Sequence, residues 1–179
     1  EALALCLAGG YTGEMLLSLL EREGVPSAAA LYAAETRISI QIAEQDGRFS
    51  NLNDRGGPVT AADIDALMEL TLEYLRPEDT LVLGGAVPDG APDDVYARFV
   101  HRFRPHCRCI AVDADGAALC AAVSAGPTLL KPNEEELVRY AGRPLCGEEE
   151  FFACARHLAA ESGGLVLLSL GAKGAALFT

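Results

Sequence analysis

The sequence predicts an α/β fold: a mostly parallel, Rossmann-like sheet with helices on both faces, plus a small β lid. Three observations carry this. From about residue 80 onward, apolar runs of four to six residues alternate with amphipathic stretches of helical period. That alternation is the mark of βα units joined by right-handed crossovers. Glycine or polar residues follow each apolar run, at Gly9-Gly10, Gly84-Gly85, Asp113, Lys131-Pro132-Asn133 and Ser169-Leu170-Gly171. Between residues 28 and 55 the helical period disappears and extended segments follow one another, with Asp46-Gly47 as a hairpin turn.

In chain order, Leu3 to Ala8 reads as a buried strand running into Gly9-Gly10-Tyr11-Thr12-Gly13. The glycines serve either a tight βα turn or the close approach of a ligand. Glu14 to Glu23 reads as a helix with Leu16, Leu17, Leu19 and Leu20 inward and Gly24 closing it. Ala28 to Ala33, Thr36 to Ala43 and Arg48 to Asn53 read as three extended segments. They divide the chain into a core, 1–27 with 56–179, and a lid, 28–55. The middle segment alternates Ile38, Ile40 and Ile42 with Arg37, Ser39 and Gln41. Arg37 is either a solvated strand arginine or a fork for a phosphate or carboxylate. So small a β block cannot bury two faces alone, and it is expected to pack as a flap or against a second copy.

Thr60-Ala61-Ala62-Asp63 resembles a capping box with Asp in place of Glu, and starts a helix carrying Ile64, Leu67, Met68 and Leu72. Strand Thr80 to Leu83 then leads into the loop Gly84 to Gly90 and a helix over Pro92 to Arg104. Strand Cys109 to Val112 is followed by a helix over Ala114 to Ser124, with Asp113 expected as its N-cap. Thr128 to Leu130 leads into Lys131-Pro132-Asn133-Glu134-Glu135-Glu136. There Asn133 is a good N-cap and Glu136 stands in capping-box register. A helix N-terminus at the C-terminal edge of a parallel sheet also suits an anionic ligand. Glu148 to Ser162 is helical, Leu165 to Leu168 a strand, Ser169 to Gly174 a turn, and Ala175 to Phe178 begins a further strand.

Composition narrows the function. Half the 179 residues are hydrophobic, and 14 basic against 26 acidic residues leave a formal net charge of −12. That balance argues against general nucleic-acid or anionic-membrane binding, and leaves room for a small anion held locally. No apolar run reaches the roughly 18 residues that span a bilayer. The six cysteines form no CxxC pair. His106-Cys107-Arg108-Cys109 lacks a second ligand pair at zinc spacing. A reducing cytoplasm is the expected setting. The chain opens inside one apolar segment and stops inside another, so a piece of a longer protein is expected.

Read together and in order, five segments resemble the ribokinase-like, pfkB-type carbohydrate kinases, most closely their phosphofructokinase branch. They are Gly9 to Glu14, Thr36-Arg37, Leu52-Asn53 with Gly57-Pro58, Lys131-Pro132-Asn133 with Glu136, and Ser169 to Ala175. The resemblance spans essentially the whole chain and implies a ribokinase-like fold. It implies ATP-dependent, Mg²⁺-requiring phosphorylation of a ketohexose monophosphate: fructose 1-phosphate, fructose 6-phosphate or tagatose 6-phosphate. It implies nucleotide contacts from Lys131, Asn133, Glu136, Ser169 and Gly171, with Asn133 and Glu136 organising Mg²⁺ through water. Sugar-phosphate contacts are implied for Gly9, Gly10, Arg37 and Gly85, and the lid is implied to pair in a homodimer.

The departures are equally specific. The family's catalytic aspartate sits in a Gly-Ala-Gly-Asp motif that is absent from these residues and is expected downstream. No catalytic residue is therefore assigned in this chain, and these 179 residues alone are expected to be inactive. A substrate-binding Asp and a Gly-Gly-Lys segment are expected upstream. The family's Ser-Gly-Ser-Leu-Pro loop reads Gly84-Gly85-Ala86-Val87-Pro88, two hydroxyls short. A non-catalytic nucleotide- or sugar-phosphate-binding module, or a degenerate kinase, is the alternative. A dehydrogenase is disfavoured because Gly9 to Gly13 lacks the G-x-G-x-x-G spacing.

Overall fold

The computed structural model describes residues 2–179. The chain divides into two compact units, Glu1–Tyr74 with Pro88–Ala91, and Leu75–Val87 with Pro92–Thr179.

In the first unit, β1 (Ala4–Ala8), α1 (Gly10–Arg22) and β2 (Ser27–Leu31) form a βαβ crossover. β1 and β2 pair in parallel from Ala4 opposite Ser27 to Ala8 opposite Leu31. The segment expected to open the lid is thus a strand of this parallel pair, its small alanines lying beside β1. β3 (Ser39–Ala43) and β4 (Phe49–Asn53) pair only with each other, antiparallel from Ser39 opposite Asn53 to Ala43 opposite Phe49. Gly47 supplies the left-handed residue of their turn, at φ 85°. All ten hairpin residues are exposed. α2 (Ala61–Tyr74) packs on β1 and β2 through buried Ile64, Met68 and Thr71. Its start is the expected reciprocal cap. The Thr60 N–H donates to Asp63 Oδ2 at 2.7 Å, and the Asp63 N–H donates back to Thr60 Oγ1 at 3.3 Å.

α1 begins at Gly10, four residues before the expected start. A helix start needs acceptors for its free N–H groups, and Gly9 has no side chain to offer one. Glu35 supplies them from across the unit: its carboxylate accepts from the N–H groups of Tyr11 (3.2 Å) and Thr12 (3.1 Å) and from the Thr12 hydroxyl (2.7 Å). The helix ends as expected at Gly24 (φ 67°), where the Val25 N–H reaches back to the Leu20 carbonyl at 2.9 Å.

The second unit contains β5 (Thr80–Leu83), α3 (Val95–Phe103), β6 (Cys109–Val112), α4 (Gly116–Ala125), β7 (Leu129–Leu130), α5 (Glu134–Ala141), α6 (Gly147–Ser162), β8 (Leu165–Ser169) and β9 (Ala175–Phe178). The sheet order is β5-β6-β7-β8-β9; the first four strands are parallel and β9 is antiparallel to β8. Burial alternates along the strands. Leu83, Ile110, Val112, Leu130, Val166, Leu168 and Phe178 are buried, while Val82 and Leu177 on the other face are 68% and 59% exposed. Val100, Phe103, Leu119, Leu137 and Leu158, on the helices between the strands, are buried as well; α3 packs on β6, α6 on β8 and β9, and α4 and α5 pack against the other helices. α3 starts at Val95 and not at Pro92, since residues 92–94 form a turn closed by the Val95 N–H on the Pro92 carbonyl. α4 starts at Gly116, with Asp115 and not Asp113 at its N-cap position. The Asp115 carboxylate does not cap the helix; Arg139 holds it in a two-pronged pair at 2.7 and 2.8 Å.

Candidate functional site

At the C-terminal edge of the second unit's sheet, four strand ends come together. The Lys131 N–H donates to the Val112 carbonyl, and the Asp113 N–H to the Leu83 carbonyl, so both residues continue the ladder by one step. Their side chains then meet, Lys131 Nζ lying 3.1 Å from Asp113 Oδ2, both about two-fifths exposed. At that exposure the pair orients Lys131 more than it stabilises the fold. This is why Asp113 does not cap α4: it faces the next strand end.

Pro132 turns the chain toward α5. Its carbonyl accepts from the Ser169 N–H at 3.0 Å and faces the Ser169 hydroxyl at 3.4 Å, and Asn133 forms a bridge to Ser169. Asn133 is extended (φ −101°, ψ 178°) and completes a full capping box. Its Oδ1 accepts the Glu136 N–H at 2.9 Å, and its own N–H donates to Glu136 Oε2 at 2.9 Å. A third bond joins Asn133 Nδ2 to Glu136 Oε1 at 2.8 Å. Asn133, Glu136 and Ser169 are therefore joined by capping and strand-edge bonds, with Lys131, two residues before Asn133, held separately by Asp113. Gly171 opens the single 3₁₀ turn Gly171–Lys173 at φ 56°, with open space where a Cβ would stand.

Both Glu136 oxygens already accept from Asn133, yet a carboxylate offers about four lone-pair sites. Among the described residues no group of three His, Cys, Asp or Glu side chains could hold a metal ion. A cation that keeps most of its own water, as Mg²⁺ does, fits one half-buried carboxylate at a helix start; a dehydrated ion needing an all-protein cage does not.

Gly85 lies on the same edge, at φ 94° with nothing near an added Cβ. The Tyr96 hydroxyl donates to its carbonyl at 2.8 Å. Burial raises the Tyr96 phenol above its ordinary pKa, and the Asp113 charge raises it further.

In the first unit, Gly9 and Gly10 lie where β1 enters α1. A Cβ on Gly9 would stand 2.0 Å from the Ala34 carbonyl oxygen, and one on Gly10 2.1 Å from Glu35 Cδ. Their smallness admits the 34–36 segment, whose Thr36 Oγ1 accepts the Gly9 N–H at 2.9 Å. The Glu35 carboxyl is held below its ordinary pKa first by the Thr12 hydroxyl, then by the Thr12 N–H. Arg37 is exposed just before β3, and no hydrogen bond or ion pair among the described residues holds its guanidinium.

Sequence reading missed Glu35, Tyr96 and the Asp113–Lys131 pair. The need for a distant acceptor follows only from the observed helix start at Gly10, where Gly9 offers no side-chain cap. Tyr96 had no signal in the sequence either. Cys107, in the His-Cys-Arg-Cys stretch, turns its thiol toward the Phe103 and Cys109 carbonyls, and burial pushes that thiol's pKa up.

Comparisons with known proteins agree with one another. The 1-phosphofructokinase of Escherichia coli (strain K12) is 31% identical over 171 residues, covering 93% of this chain and 55% of the relative. The tetrameric inhibited form of phosphofructokinase-2 from Escherichia coli superposes with a TM-score of 0.90 at 29% identity, covering 99% of this chain and 59% of that one. The same enzyme in complex with fructose-6-phosphate gives 0.88 at 29% identity, with the same coverage. The chain thus spans just over half the length of the relatives it matches. A comparison with family models matches residues 1–179 to the pfkB family of carbohydrate kinases, and with the ribokinase-like α/β fold and this match along its whole length, the chain belongs to that family.

Proposed function

We propose that these residues are the central part of an ATP-dependent kinase that phosphorylates a hydroxyl of a ketohexose monophosphate. The observation that carries the reading is that Lys131, paired with Asp113, and the bonded set Asn133, Glu136 and Ser169 stand at one parallel-sheet edge, around the start of α5. A helix start and a lysine together favour polyphosphate, and Gly171 leaves room beside Ser169 for it. Mg²⁺, held through water by Glu136 beside Asn133, would supply charge neutralisation between the phosphates. Lys131, steadied by Asp113, points a fixed positive charge at the transferring group. Arg37, without a partner among the described residues, offers a bidentate fork for the phosphate the sugar already carries.

In the proposed reaction a sugar hydroxyl oxygen forms a bond to the γ-phosphorus. The bond from that phosphorus to the bridging oxygen of ADP breaks, and the hydroxyl proton passes to a base outside these residues. Positioning and charge stabilisation supply most of such a catalysis. Support for the sugar-phosphate class comes from relatives described as 1-phosphofructokinase and as phosphofructokinase-2 in complex with fructose-6-phosphate.

We also propose that the exposed hairpin, with Ile40, Ile42, Phe49 and Leu52 about half exposed or more, pairs with a second copy in a homodimer. The hairpin would then act as the lid over the sugar, as a part distinct from the core. A cytoplasmic setting without nucleic-acid or membrane partners is proposed with it, in keeping with the acidic balance; no helix among the described residues is long and apolar enough to cross a membrane.

The test is turnover by the full-length protein with ATP and Mg²⁺ against fructose 1-phosphate, fructose 6-phosphate and tagatose 6-phosphate. Phosphorylation of one or more supports the reading. Binding of ATP or a sugar phosphate with no turnover would favour the second reading, a non-catalytic binding module. Gly84 and Ala86, standing where the family has serines, favour that reading.

A further inference from the structure

The loop Gly84-Gly85-Ala86 follows β5 on the candidate edge and carries no side-chain donor. Among the described residues, the N–H groups of all three have no acceptor. Successive N–H groups without a protein acceptor can receive an oxyanion where the backbone turns, and Gly85, at φ 94°, turns it here. A stretch of two glycines and an alanine is also the most conformationally free kind of loop, so its usefulness depends on what holds it. The structure shows two holds. The Asp113 N–H fixes the Leu83 carbonyl at 2.8 Å just before the loop. The Tyr96 hydroxyl fixes the Gly85 carbonyl at 2.8 Å within it.

Building on the kinase reading, we propose that Tyr96 is a positioning residue for the sugar-phosphate pocket: its hydroxyl clamps the Gly85 carbonyl so that the loop's backbone N–H groups, and not the missing hydroxyls, face the substrate's phosphate. Several features fit this role. Tyr96 stands in the first turn of α3, on a helix anchored by buried Val95, Phe99, Val100 and Phe103, so its ring is carried by a rigid element. The phenol stays protonated, because burial and the Asp113 charge both disfavour the phenolate. It is therefore a constant donor across the physiological range. Asp113 also pairs with Lys131, so the clamp shares a neighbour with the proposed nucleotide lysine.

The experiment is Tyr96→Phe in the full-length protein, with Tyr140→Phe as the control; Tyr140 donates to Glu161 at a distance along the chain from the loop. Initial rates are measured with sugar phosphate and ATP varied separately, together with deuterium exchange of the peptide covering residues 84–87. Loss of one hydrogen bond predicts a sugar-phosphate KM raised about three- to tenfold, with kcat within about twofold and the ATP KM unchanged. Exchange at 84–87 quickens, and Tyr140→Phe moves none of these. A purely structural tyrosine would lower thermal stability without this split between the two substrates. If the wild type turns over and Tyr96→Phe leaves the sugar-phosphate KM unaltered, the clamp is overturned whatever the exchange shows. A wild type that turns over no sugar phosphate overturns the kinase reading itself, and the clamp with it.

Discussion

Glu136→Gln separates the two jobs assigned to one carboxylate. In the structure Glu136 accepts two bonds from Asn133, from the backbone N–H at 2.9 Å and from the side-chain amide at 2.8 Å. Glutamine has one carbonyl oxygen, so it keeps only one of the two and turns its own amide toward the other donor. One hydrogen bond to a charged group is lost, and a negative charge leaves the first turn of α5. Glu134 and Glu135 remain there, which limits the second effect. Together these suggest a stability loss of roughly 1–3 kcal/mol, measured by chemical denaturation. If Glu136 also orients water around Mg²⁺, the Mg²⁺ concentration for half-maximal rate in the full-length enzyme should rise roughly tenfold, as for other groups one step removed from a metal. Asn133→Ser is the comparator, because it keeps a capping oxygen and loses only the amide bond to Glu136. A stability loss with unchanged Mg²⁺ dependence would leave Glu136 a helix cap and nothing more, and refute its metal role.

Gly9→Ala should destabilise the protein by about 1–3 kcal/mol with no ligand present, since its Cβ meets backbone oxygens at 2.0 and 2.6 Å; a shift in ligand affinity at unchanged stability would show that the glycine serves the ligand instead. Glu35→Gln tests the remote cap through pH. Its folded pKa lies below the ordinary 4.5, so its contribution is fully present above about that pH and is lost as pH falls through the lower folded value. The stability gap between wild type and Glu35→Gln should therefore shrink on acidification below pH 4.5, and a constant gap would count against the cap. Arg37→Glu should weaken sugar-phosphate binding far more than ATP binding, read by calorimetry on the full-length protein; equal losses would remove Arg37 from the sugar site.

The strands and helices of the second unit were legible because each apolar run and each helical period is a local pattern. Cys109–Val112 and the Asn133–Glu136 capping box were read at their observed positions for that reason. The hairpin was legible from Asp46-Gly47 and the alternating isoleucines. Where a side chain's partner is distant in sequence, reading failed. Glu35 caps a helix 23 and 24 residues away, so α1 starts four residues early. Asp113 was expected to cap the next helix and instead meets Lys131 across two strand ends. Asp115, whose N-cap position was not foreseen, is taken by Arg139 on another helix.

What the linear order of residues settled is the class of fold, the family, and the list of strand-end residues, because periodicity and short motifs are properties of neighbours in sequence. Which of those residues touch was left to the packing of parallel strands. Parallel strands bring residues dozens of positions apart to one edge, so the joining of Asp113 to Lys131 and of Pro132 to Ser169 depends on strand order and register, and no local pattern encodes either. Which glycines have room around them was decided the same way: Gly9 and Gly171 look alike in sequence, but a Cβ would strike backbone at the first and meet open space at the second.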